Sequence, residues 1–319
     1  MCDNRSGGSK YNISIVSGRF GSFTCNADSG YTIGKVMASG SSVFEEGEPC
    51  YYDSVKNRTE GTDLVFGVCD HKNNMGRPNL NDANVCNYCN EEIVATVSYT
   101  AGGSEETDLF SDIYDAFAKA NEVGTATVTL YKDITDRKST RDVTVTGNVT
   151  LELNGKTLGG RYGIARISVS DGGTLTVNGD GDMDTPIYVN ENSKLVINGG
   201  GYFNSVSVKK GGNAEIGGGT IRGLSVRGNV KLSGGKFNDI EILNGNLESV
   251  LADGYAYKVD GGAWLSIAER AESVYSSVNN DNKPVNVEEA PIKSATLSTE
   301  INKLYRNSNA NPTLKFNLA

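Results

Sequence analysis

The length, composition and charge of this chain exclude several classes of protein. It has 319 residues, enough for about two or three domains, and no apolar run is long enough to span a membrane, so membrane insertion is not expected. Its formal net charge of −9 argues against a nucleic-acid-binding protein, which would normally be basic. Polar residues directly follow Met1, so the chain does not begin with the apolar stretch of a signal peptide. We expect Met1 to be an added start residue and the chain to be a piece of a longer protein.

The first segment of the chain resembles a later one. Residues 17–40 align with residues 234–254, so that Phe20 matches Phe237 and VMASG matches VLADG. The later stretch ends a region of repeated strands that is described below. We therefore predict that residues 1–56 are the terminal coils of an upstream β-solenoid.

This first segment contains three cysteines, Cys2, Cys25 and Cys50. Cys25 aligns with Ile242, so we expect it to be a small core residue. A disulfide from Cys2 or Cys25 to Cys50 is the alternative, and the sequence does not decide between the two.

Residues 57–106 form a predicted linker that carries three more cysteines and the one histidine of the chain. The ligand spacing is Cys69-x-His71, then 14 residues, then Cys86-x-x-Cys89. Two close-set ligand pairs of sulfur and nitrogen favour a tetrahedral Zn²⁺ site. Four protein ligands leave no open position for a metal-bound water, so we expect this zinc to be structural and not catalytic.

Other states of the same stretch stay open. The loop could be reduced and without a metal, or Cys86 and Cys89 could form a disulfide. A thioredoxin-like redox pair is disfavoured because no βαβ pattern follows it. The stretch has almost no apolar residues, so metal binding would supply its folding free energy and would stiffen the joint between two solenoids.

A helical pattern and then a strand follow the linker. Residues 107–124 have one apolar helical face, with Thr107 as the expected N-cap and Gly124 as the C-cap. The apolar residues of this face are Leu109, Ile113, Phe117 and Ala120. Residues 126–134 alternate as a strand does. Because the end of a solenoid exposes an apolar cross-section and unpaired strand edges, we predict that this helix is the N-terminal cap of a solenoid over residues 107–267.

Short strands recur between Val143 and Leu251 and predict the fold. Apolar-polar-apolar triplets start 20, 19, 18 and 16 residues apart, a second set of strands lies between them, and glycine pairs mark the corners. This regularity favours an all-β, parallel β-helix (solenoid) over an antiparallel sandwich, whose strands are usually longer. The predicted inward ladders are Ile167/Val169, Ile187/Val189, Val206/Val208, Leu224/Val226 and Ile240/Ile242, and separately Phe203, Ile221 and Phe237.

One loop of the solenoid offers a second metal-binding hypothesis. In GDGDMDTP the carboxylates of Asp180, Asp182 and Asp184 alternate and could bind Ca²⁺. The full EF-hand pattern and its terminal glutamate are missing, so a solvated corner loop is the alternative.

Catalysis has little support in the sequence. The solenoid has no histidine, which removes Ser-His and Cys-His arrangements. Its acidic residues are sparse, and Glu215 and Glu241 belong to different ladders, so they do not form the facing pair that a glycosidase needs. We therefore predict that the protein is not an enzyme.

A basic surface predicts where a partner would bind. Between Ser205 and Ile240 there are six basic residues and two acidic ones. The coil alignment places Lys209 and Arg227 at the same rung position. Stacked cationic and aromatic side chains suit a protein surface or an acidic glycan, although outward charges can also serve only solubility. The predicted partner-binding residues are Tyr202, Lys209, Arg222, Arg227 and Lys236.

Two further features complete the sequence-based assignment. An insertion that contains Arg161, Tyr162 and Arg166 could carry binding, as corner insertions in solenoids often do. After the last coil, aromatic residues are expected to form a C-terminal cap, and residues 268–319 to be a linker and the start of a next module. The aromatic residues are Tyr255, Tyr257 and Trp264.

The strand and linker motifs resemble a known type of protein. ATVTLYKDI, VTVTGNVTLELNGKTL, ISVSDGGTLTVNG, LVINGG and LADGYAY resemble the solenoid modules of large cell-surface proteins from gut Firmicutes and related Gram-positive bacteria. The C-x-H…C-x-x-C stretch resembles their linkers, and the resemblance covers roughly residues 60–265. It implies a right-handed parallel β-helix displayed outside a bacterial cell.

The resemblance also implies candidate partners. Some proteins of this type bind host immunoglobulins as superantigens, which makes an immunoglobulin variable domain the first expected partner. Others have no known ligand. A carbohydrate-active enzyme or glycan-binding module, and a passive spacer in a stalk, are the alternatives.

Overall fold

The computed structural model describes residues 14–25, 31–73, 77–135, 141–159, 164–277 and 282–290, and the backbone of two short strands beyond them. The chain divides into two compact units, Met1–Ile134 and Thr135–Ala319. Most of the described chain is β-structure. None of its described helices has the length and apolar content that crossing a membrane requires.

The first unit begins with a four-stranded antiparallel sheet. Its strands β1 (Gly18–Thr24), β2 (Ser41–Glu45), β3 (Glu48–Pro49) and β4 (Glu60–Val68) are arranged in the order β1-β4-β2-β3. Short helices α1 (Ile33–Val36) and α2 (Tyr52–Val55) lie between the strands in sequence. The buried core of this sheet consists of Ile33, Val43, Val55, Leu64 and Phe66.

This sheet differs from the stack of parallel coils that we predicted for residues 1–56. Its strands pair antiparallel, and the parallel contact in the described part of the segment is the bridge from Ile15 to Met37. The prediction failed because the first segment was aligned with residues 234–254, which were assumed to be solenoid coils. Residues 234–254 belong partly to a closing structure, which is antiparallel as well.

The first unit ends with a β-hairpin, a helix and a third strand. Strand β5 (Ala95–Ala101) pairs antiparallel with both β6 (Ser104–Phe110) and β7 (Thr125–Leu130). Helix α3 (Ile113–Val123) lies between β6 and β7 in sequence and buries Ile113, Ala116, Phe117 and Ala120.

The start of the predicted helix was wrong. The helix begins at Ile113 rather than near Thr107, and its N-cap is Asp112, whose side chain accepts the Tyr114 amide at 2.7 Å. Thr107 instead lies in β6, where its hydroxyl is 3.0 Å from that of Ser98 across the hairpin. Strand pairing therefore overrides the helical periodicity at this point. The end of the helix is as predicted, at Gly124 with φ 79°.

The second unit contains a parallel β-solenoid of about five turns. One sheet contains β8 (Asp142–Val145), β11 (Arg166–Val169), β14 (Ile187–Val189), β16 (Tyr202–Val208), β18 (Thr220–Val226) and β20 (Lys236–Ile242). A second contains β9 (Asn148–Glu152), β12 (Thr174–Asn178), β15 (Lys194–Ile197), β17 (Asn213–Ile216) and β19 (Asn229–Leu232). The short strands β10 (Thr157–Gly159) and β13 (Asp182–Asp184) pair in parallel, and β13 also pairs with β16 of the first sheet.

The predicted inward ladders are confirmed. Ile167, Ile187, Val206, Leu224 and Ile240 lie in parallel register on successive coils, and none is more than 2% exposed. Phe203, Ile221 and Phe237 form the other ladder. Each such side chain stabilises the fold by roughly 1.5–3 kcal/mol through burial, and only stacked coils provide that burial. Because successive strands pair parallel, the antiparallel sandwich is excluded.

Glycines at the solenoid corners serve two distinct purposes. Gly172 and Gly211 have φ 80° and 78°, which favours glycine because other residues are strained there. Gly201 has an ordinary φ, but a Cβ on it would collide with the carbonyl oxygen of Gly181 on the neighbouring coil. Close stacking of coils therefore also requires glycine, a purpose that the turn pattern alone does not indicate.

An antiparallel closing structure follows the last coil. It contains a 3-10 helix (Leu247–Val250), β21 (Tyr255–Val259), α4 (Ile267–Arg270), β22 (Val274–Ser276) and β23 (Val285–Glu289). Strands β22 and β23 both pair with β20, and β21 pairs with β23. Strand β23 thus belongs to this closing structure and does not open a next module. The end of the solenoid domain, predicted at residue 267, therefore lies after Glu289. Two further strands, β24 (Thr296–Leu297) and β25 (Phe316–Asn317), pair with each other.

Candidate metal centre

The loop between β4 and β5 brings the four predicted zinc ligands together. Three antiparallel bridges fold it back on itself, at Lys72–Pro78, Leu80–Cys86 and Val85–Glu92. Three of its residues adopt the left-handed conformation that tight turns need, and they are His71, Asn84 and Asn90. The loop obtains its shape from these turns, because its small apolar cluster consists mainly of the cysteines themselves.

The geometry of the four side chains fits a tetrahedral metal ion. One ligand atom from each of Cys69, His71, Cys86 and Cys89 lies within 4.8 Å of all the others. The Cys69 and Cys86 sulfurs are 3.6 Å apart, and the Cys89 sulfur is 3.4 Å from His71 Nδ1. Zinc–ligand bonds of about 2.0–2.3 Å at tetrahedral angles place ligand atoms roughly 3.5–3.8 Å apart. The cluster can therefore hold a metal ion such as zinc with little rearrangement.

Burial and backbone hydrogen bonds hold these four side chains in orientations that suit binding of a cation. Cys69, His71 and Cys86 are at most 6% exposed. The amide of His71 donates to the Cys69 sulfur and the amide of Tyr88 donates to the Cys86 sulfur, each at 3.4 Å. Such bonds fix the orientation of a thiolate and reduce the cost of burying its charge.

The pKa values within the cluster show how strongly its members interact. Burial lowers the pKa of His71, but hydrogen bonds and negative charge from Cys69 and Cys86 outweigh it and raise this pKa from 6.5 to about 10. Hydrogen bonds from Cys69 and Cys89 hold the pKa of Cys86 far below its ordinary value. The pKa of Cys89 is raised by its hydrogen bonds to Cys69 and Cys86. A metal ion must displace the retained protons, so metal affinity decreases in acid.

The loop between β4 and β5, residues 69–94, is called the metal loop below, and contacts at both of its ends anchor it within the first unit. On the side of the four-stranded sheet, the Cys69 amide donates to the Gly40 carbonyl at 2.7 Å. On the side of the β5–β6 hairpin, Lys72 Nζ lies 3.0 Å from an Asp108 carboxylate oxygen, and the Tyr99 hydroxyl donates to the other oxygen at 2.9 Å. Burial raises the pKa of Asp108, but these two partners outweigh it, and that pKa is lowered.

These anchoring residues were not found by sequence reasoning. Asp108 was part of a predicted helix, and Tyr99 carried no motif. Their contact could have been predicted only from the β5–β6 hairpin, in which Tyr99 and Asp108 lie on neighbouring strands. The pairing register that brings them together depends on the turn between β5 and β6, whose position no motif indicates.

The predicted calcium ligands do not form a comparable group. In the described residues, the Cys/His cluster is the one set of three or more candidate ligands whose atoms converge. Asp182 accepts the backbone amide of Tyr202 on the next coil at 3.0 Å, while Asp180 is exposed and Asp184 lies at the end of β13. Calcium binding at these residues stays a prediction.

The predicted basic surface has the expected register. Val208 pairs with Val226, which places Lys209 beside Arg227 on successive coils, and Tyr202, Thr220 and Lys236 are aligned likewise. Arg222 and Arg227 are both exposed.

Three of the predicted contact residues are engaged within the second unit. Lys209 Nζ lies 5.1 Å from the centre of the Tyr188 ring, a cation–π contact. Lys236 forms an ion pair with Asp260 at 2.6 Å. Arg222 donates to the Asn204 side-chain oxygen at 3.2 Å. Arg222 and Arg227 are nevertheless exposed, whereas Lys209 and Lys236 are partly buried, so the two arginines are the more accessible part of this surface.

The remaining candidate residues fall into two groups. Arg161, Tyr162 and Cys2 lie outside the described residues. Arg166 forms an ion pair with Asp142 at 2.6 Å. Cys25 and Cys50 are free thiols, and burial raises the pKa of both.

Comparisons with known proteins add no assignment. No family model, curated protein or solved structure matches the chain. Its function is therefore argued from its own geometry.

Proposed function

We propose that the protein is a non-enzymatic binding module in which a zinc-stapled joint supports a rigid β-solenoid. The observation that carries this proposal is the convergence of Cys69, His71, Cys86 and Cys89 within 4.8 Å of one another. Four protein ligands complete a tetrahedral shell, so the bound zinc has no open position for substrate or water. Its contribution is to fold a loop that has little apolar core of its own.

The position of the loop suits a staple. It follows β4 directly, and its hydrogen bonds and ion pairs reach the four-stranded sheet at one end and the β5–β6 hairpin at the other. Holding these two parts of the first unit in one arrangement is the proposed task of the zinc. We further propose that α3, with its buried apolar face, is the N-terminal cap of a solenoid.

The outward side of the solenoid supports display rather than catalysis. Two of its carboxylates are engaged in contacts between neighbouring coils: Glu215 forms an ion pair with Lys194 at 2.8 Å, and Glu152 accepts the Asn178 side-chain amide at 2.7 Å. A general acid or base must instead reach a substrate. Regular ladders of this kind produce a stiff, flat surface on which exposed side chains keep fixed spacing.

The proposed partner is a host protein, with an immunoglobulin variable domain as the first candidate, and the proposed location is the surface of a bacterial cell. The resemblance of the strand and linker motifs to Gram-positive surface modules supports this choice. The exposed guanidinium groups of Arg222 and Arg227 support a contact with an acidic or aromatic protein surface.

A binding experiment tests this proposal. The purified chain is immobilised, exposed to polyclonal immunoglobulin and to mucin, and the retained material is identified by mass spectrometry. We expect immunoglobulin to be retained regardless of antigen specificity. Arg222→Glu with Arg227→Glu should weaken retention at least about tenfold, since rim charges of the wrong sign repel the partner.

Lys132→Glu is the matched control, because it reverses the charge of a residue that belongs to the first unit and is not part of the solenoid ladders. Retention of mucin alone, lost after deglycosylation, would contradict the immunoglobulin assignment and favour a glycan-binding module. An empty column would contradict binding altogether and would favour a spacer.

A further inference from the structure

The chain contains the same closing structure twice. Residues 15–68 repeat the fold of residues 232–289: β1 corresponds to β20, α1 to the 3-10 helix, β2 to β21 and α2 to α4. Strand β4 corresponds to β22 and β23 together, since β1 pairs antiparallel with β4 as β20 pairs with β22 and β23. The second copy has extra residues between these two strands.

Backbone contacts coincide between the two copies. Both have a parallel bridge before the first strand and equivalent hydrogen bonds at the ends of the motif. The equivalent pairs are Ile15–Met37 with Leu232–Leu251, Cys25–Thr59 with Ile242–Ser273, and Cys69–Gly40 with Ala290–Gly254. The correspondence therefore fixes which residues of the first copy match which residues of the second.

One face of the motif is covered in the second copy and open in the first. In the second copy, β18 pairs with the edge of β20 that faces away from β22 and β23, and Phe237 and Ile240 are 0% exposed. Their counterparts Phe20 and Phe23 are only partly buried, and β1 is the edge strand of its sheet within the described residues. The same apolar end that receives a coil at residues 232–242 is thus exposed at residues 15–25.

We propose that the free edge of β1, with the rings of Phe20 and Phe23, is a docking surface for one coil of a parallel β-solenoid. The second copy defines the chemistry of that coil. It is a strand that runs parallel to β1 and presents aliphatic side chains to Phe20 and Phe23, as Ile221 and Leu224 do to Phe237 and Ile240.

The structure of β1 supports this partner over a helix or a polar loop. The rings of Phe20, Phe23 and Phe66 form an apolar cluster with centres 5.5 Å apart, of which Phe20 and Phe23 are only partly buried. Backbone groups at a strand edge need hydrogen-bond partners, and another strand supplies them. At the counterpart of Arg19, the Lys236 amide donates to the Gly219 carbonyl of the preceding coil at 2.8 Å.

A graft of two coils from the chain itself tests the proposal. Residues 194–228 replace residues 1–11, directly before Asn12. This reproduces the natural junction, because NISI at residues 12–15 aligns with NVKL at residues 229–232. The amide of Arg19 should then exchange with solvent at least about tenfold more slowly than in the parent chain, as measured by hydrogen exchange. The fluorescence of a dye that binds apolar surface should decrease.

The matched control is the same graft with the copies of Ile221 and Leu224 changed to Asp. In this variant the Arg19 amide should exchange with solvent as fast as in the parent chain. Zinc content and the exchange of β4 amides report whether the host fold is intact in each variant. An Arg19 amide that stays fast under the intact graft, or a graft that stays disordered on an intact host, overturns the proposal. Slow exchange at Arg19 in the parent chain that depends on protein concentration would assign the edge to a second copy of this chain and would also overturn it.

Discussion

At the scale of single residues, the chemistry of this protein is concentrated in three cysteines and one histidine. Their sulfur and nitrogen atoms are spaced as ligands of one ion, and amides of the same loop donate to two of the sulfurs. A buried thiolate without a cation would be costly, so the cluster is stable either with protons shared among its members or with a metal. The second state leaves every ligand satisfied.

Removing one ligand should abolish tight metal binding. We expect Cys86→Ser to lower zinc affinity by more than the roughly 10–100-fold that loss of an outer-shell contact costs, because a tetrahedral shell then lacks a thiolate. Competition with a chromogenic chelator measures this affinity. Cys50→Ser is the control, since Cys50 is a free thiol of the same unit outside the cluster. Equal zinc affinity in both variants would contradict the ligand assignment.

A second residue-scale prediction concerns Tyr257 in the closing structure. Its side chain is fully buried, its hydroxyl donates to the Leu247 carbonyl at 2.9 Å, and burial raises its pKa above the ordinary value. A raised pKa in the folded state stabilises the protein fully below about pH 10, the unfolded pKa, and this contribution is lost as pH rises further. The free energy of unfolding should therefore fall in alkali.

Tyr257→Phe should reduce that alkaline dependence and cost about 1 kcal/mol at neutral pH, because the Leu247 carbonyl loses its partner. Denaturant unfolding at about pH 8 and about pH 11 measures both effects. Tyr255→Phe, on the same strand but partly exposed, is the matched control. An unchanged pH dependence in Tyr257→Phe would show that other groups cause the alkaline loss.

At the scale of elements, the stacking of coils depends on ladders inside and on backbone contacts at the corners. Inward aliphatic ladders provide the burial, and outward asparagines connect coils by side-chain hydrogen bonds, such as Asn198 to Asn178 and Asn229 to Asn213, both at 3.1 Å. The corners leave no room for side chains where glycines of successive coils meet.

Gly201→Ala should therefore destabilise the solenoid by about 1–3 kcal/mol, because the added methyl group collides with the Gly181 carbonyl oxygen and pushes the two coils apart. Gly223→Ala should change the free energy of unfolding by no more than about 0.5 kcal/mol, since a Cβ there meets nothing within 4 Å. Thermal or denaturant unfolding compares the two variants. Equal effects would contradict the role of close coil contact.

The same elements show how far sequence reasoning reaches. The ladders of the solenoid were predictable because a strand alternates with period 2 and the coils repeat at nearly constant length, so Ile187 and Val206 must lie on neighbouring rungs. The convergence of the four candidate metal ligands was predictable from their spacing alone. The start of α3 was not, because pairing of Thr107 with Ser98 depends on a hairpin that local periodicity does not reveal. Asp108, which anchors the metal loop, was missed for the same reason.

At the scale of the whole molecule, the chain alternates closing structures with solenoid coils. The first unit contains one closing structure, the metal loop and a hairpin with a helix, and the second unit contains the solenoid and the other closing structure. Each closing structure ends in an equivalent hydrogen bond, at Cys69 and at Ala290, so the metal loop begins at the point where a closing structure ends. In the first unit the joint after that point depends on the proposed zinc.

Chelation of the metal tests whether zinc holds the first unit together. The purified chain is titrated with a zinc chelator while released metal is measured by elemental analysis and unfolding is followed by calorimetry. We predict about one zinc ion per chain, with a lower melting temperature for the first unit after its removal and no change for the second. A chain that is folded in the first unit and releases no zinc, or that melts identically with and without it, would contradict the zinc staple.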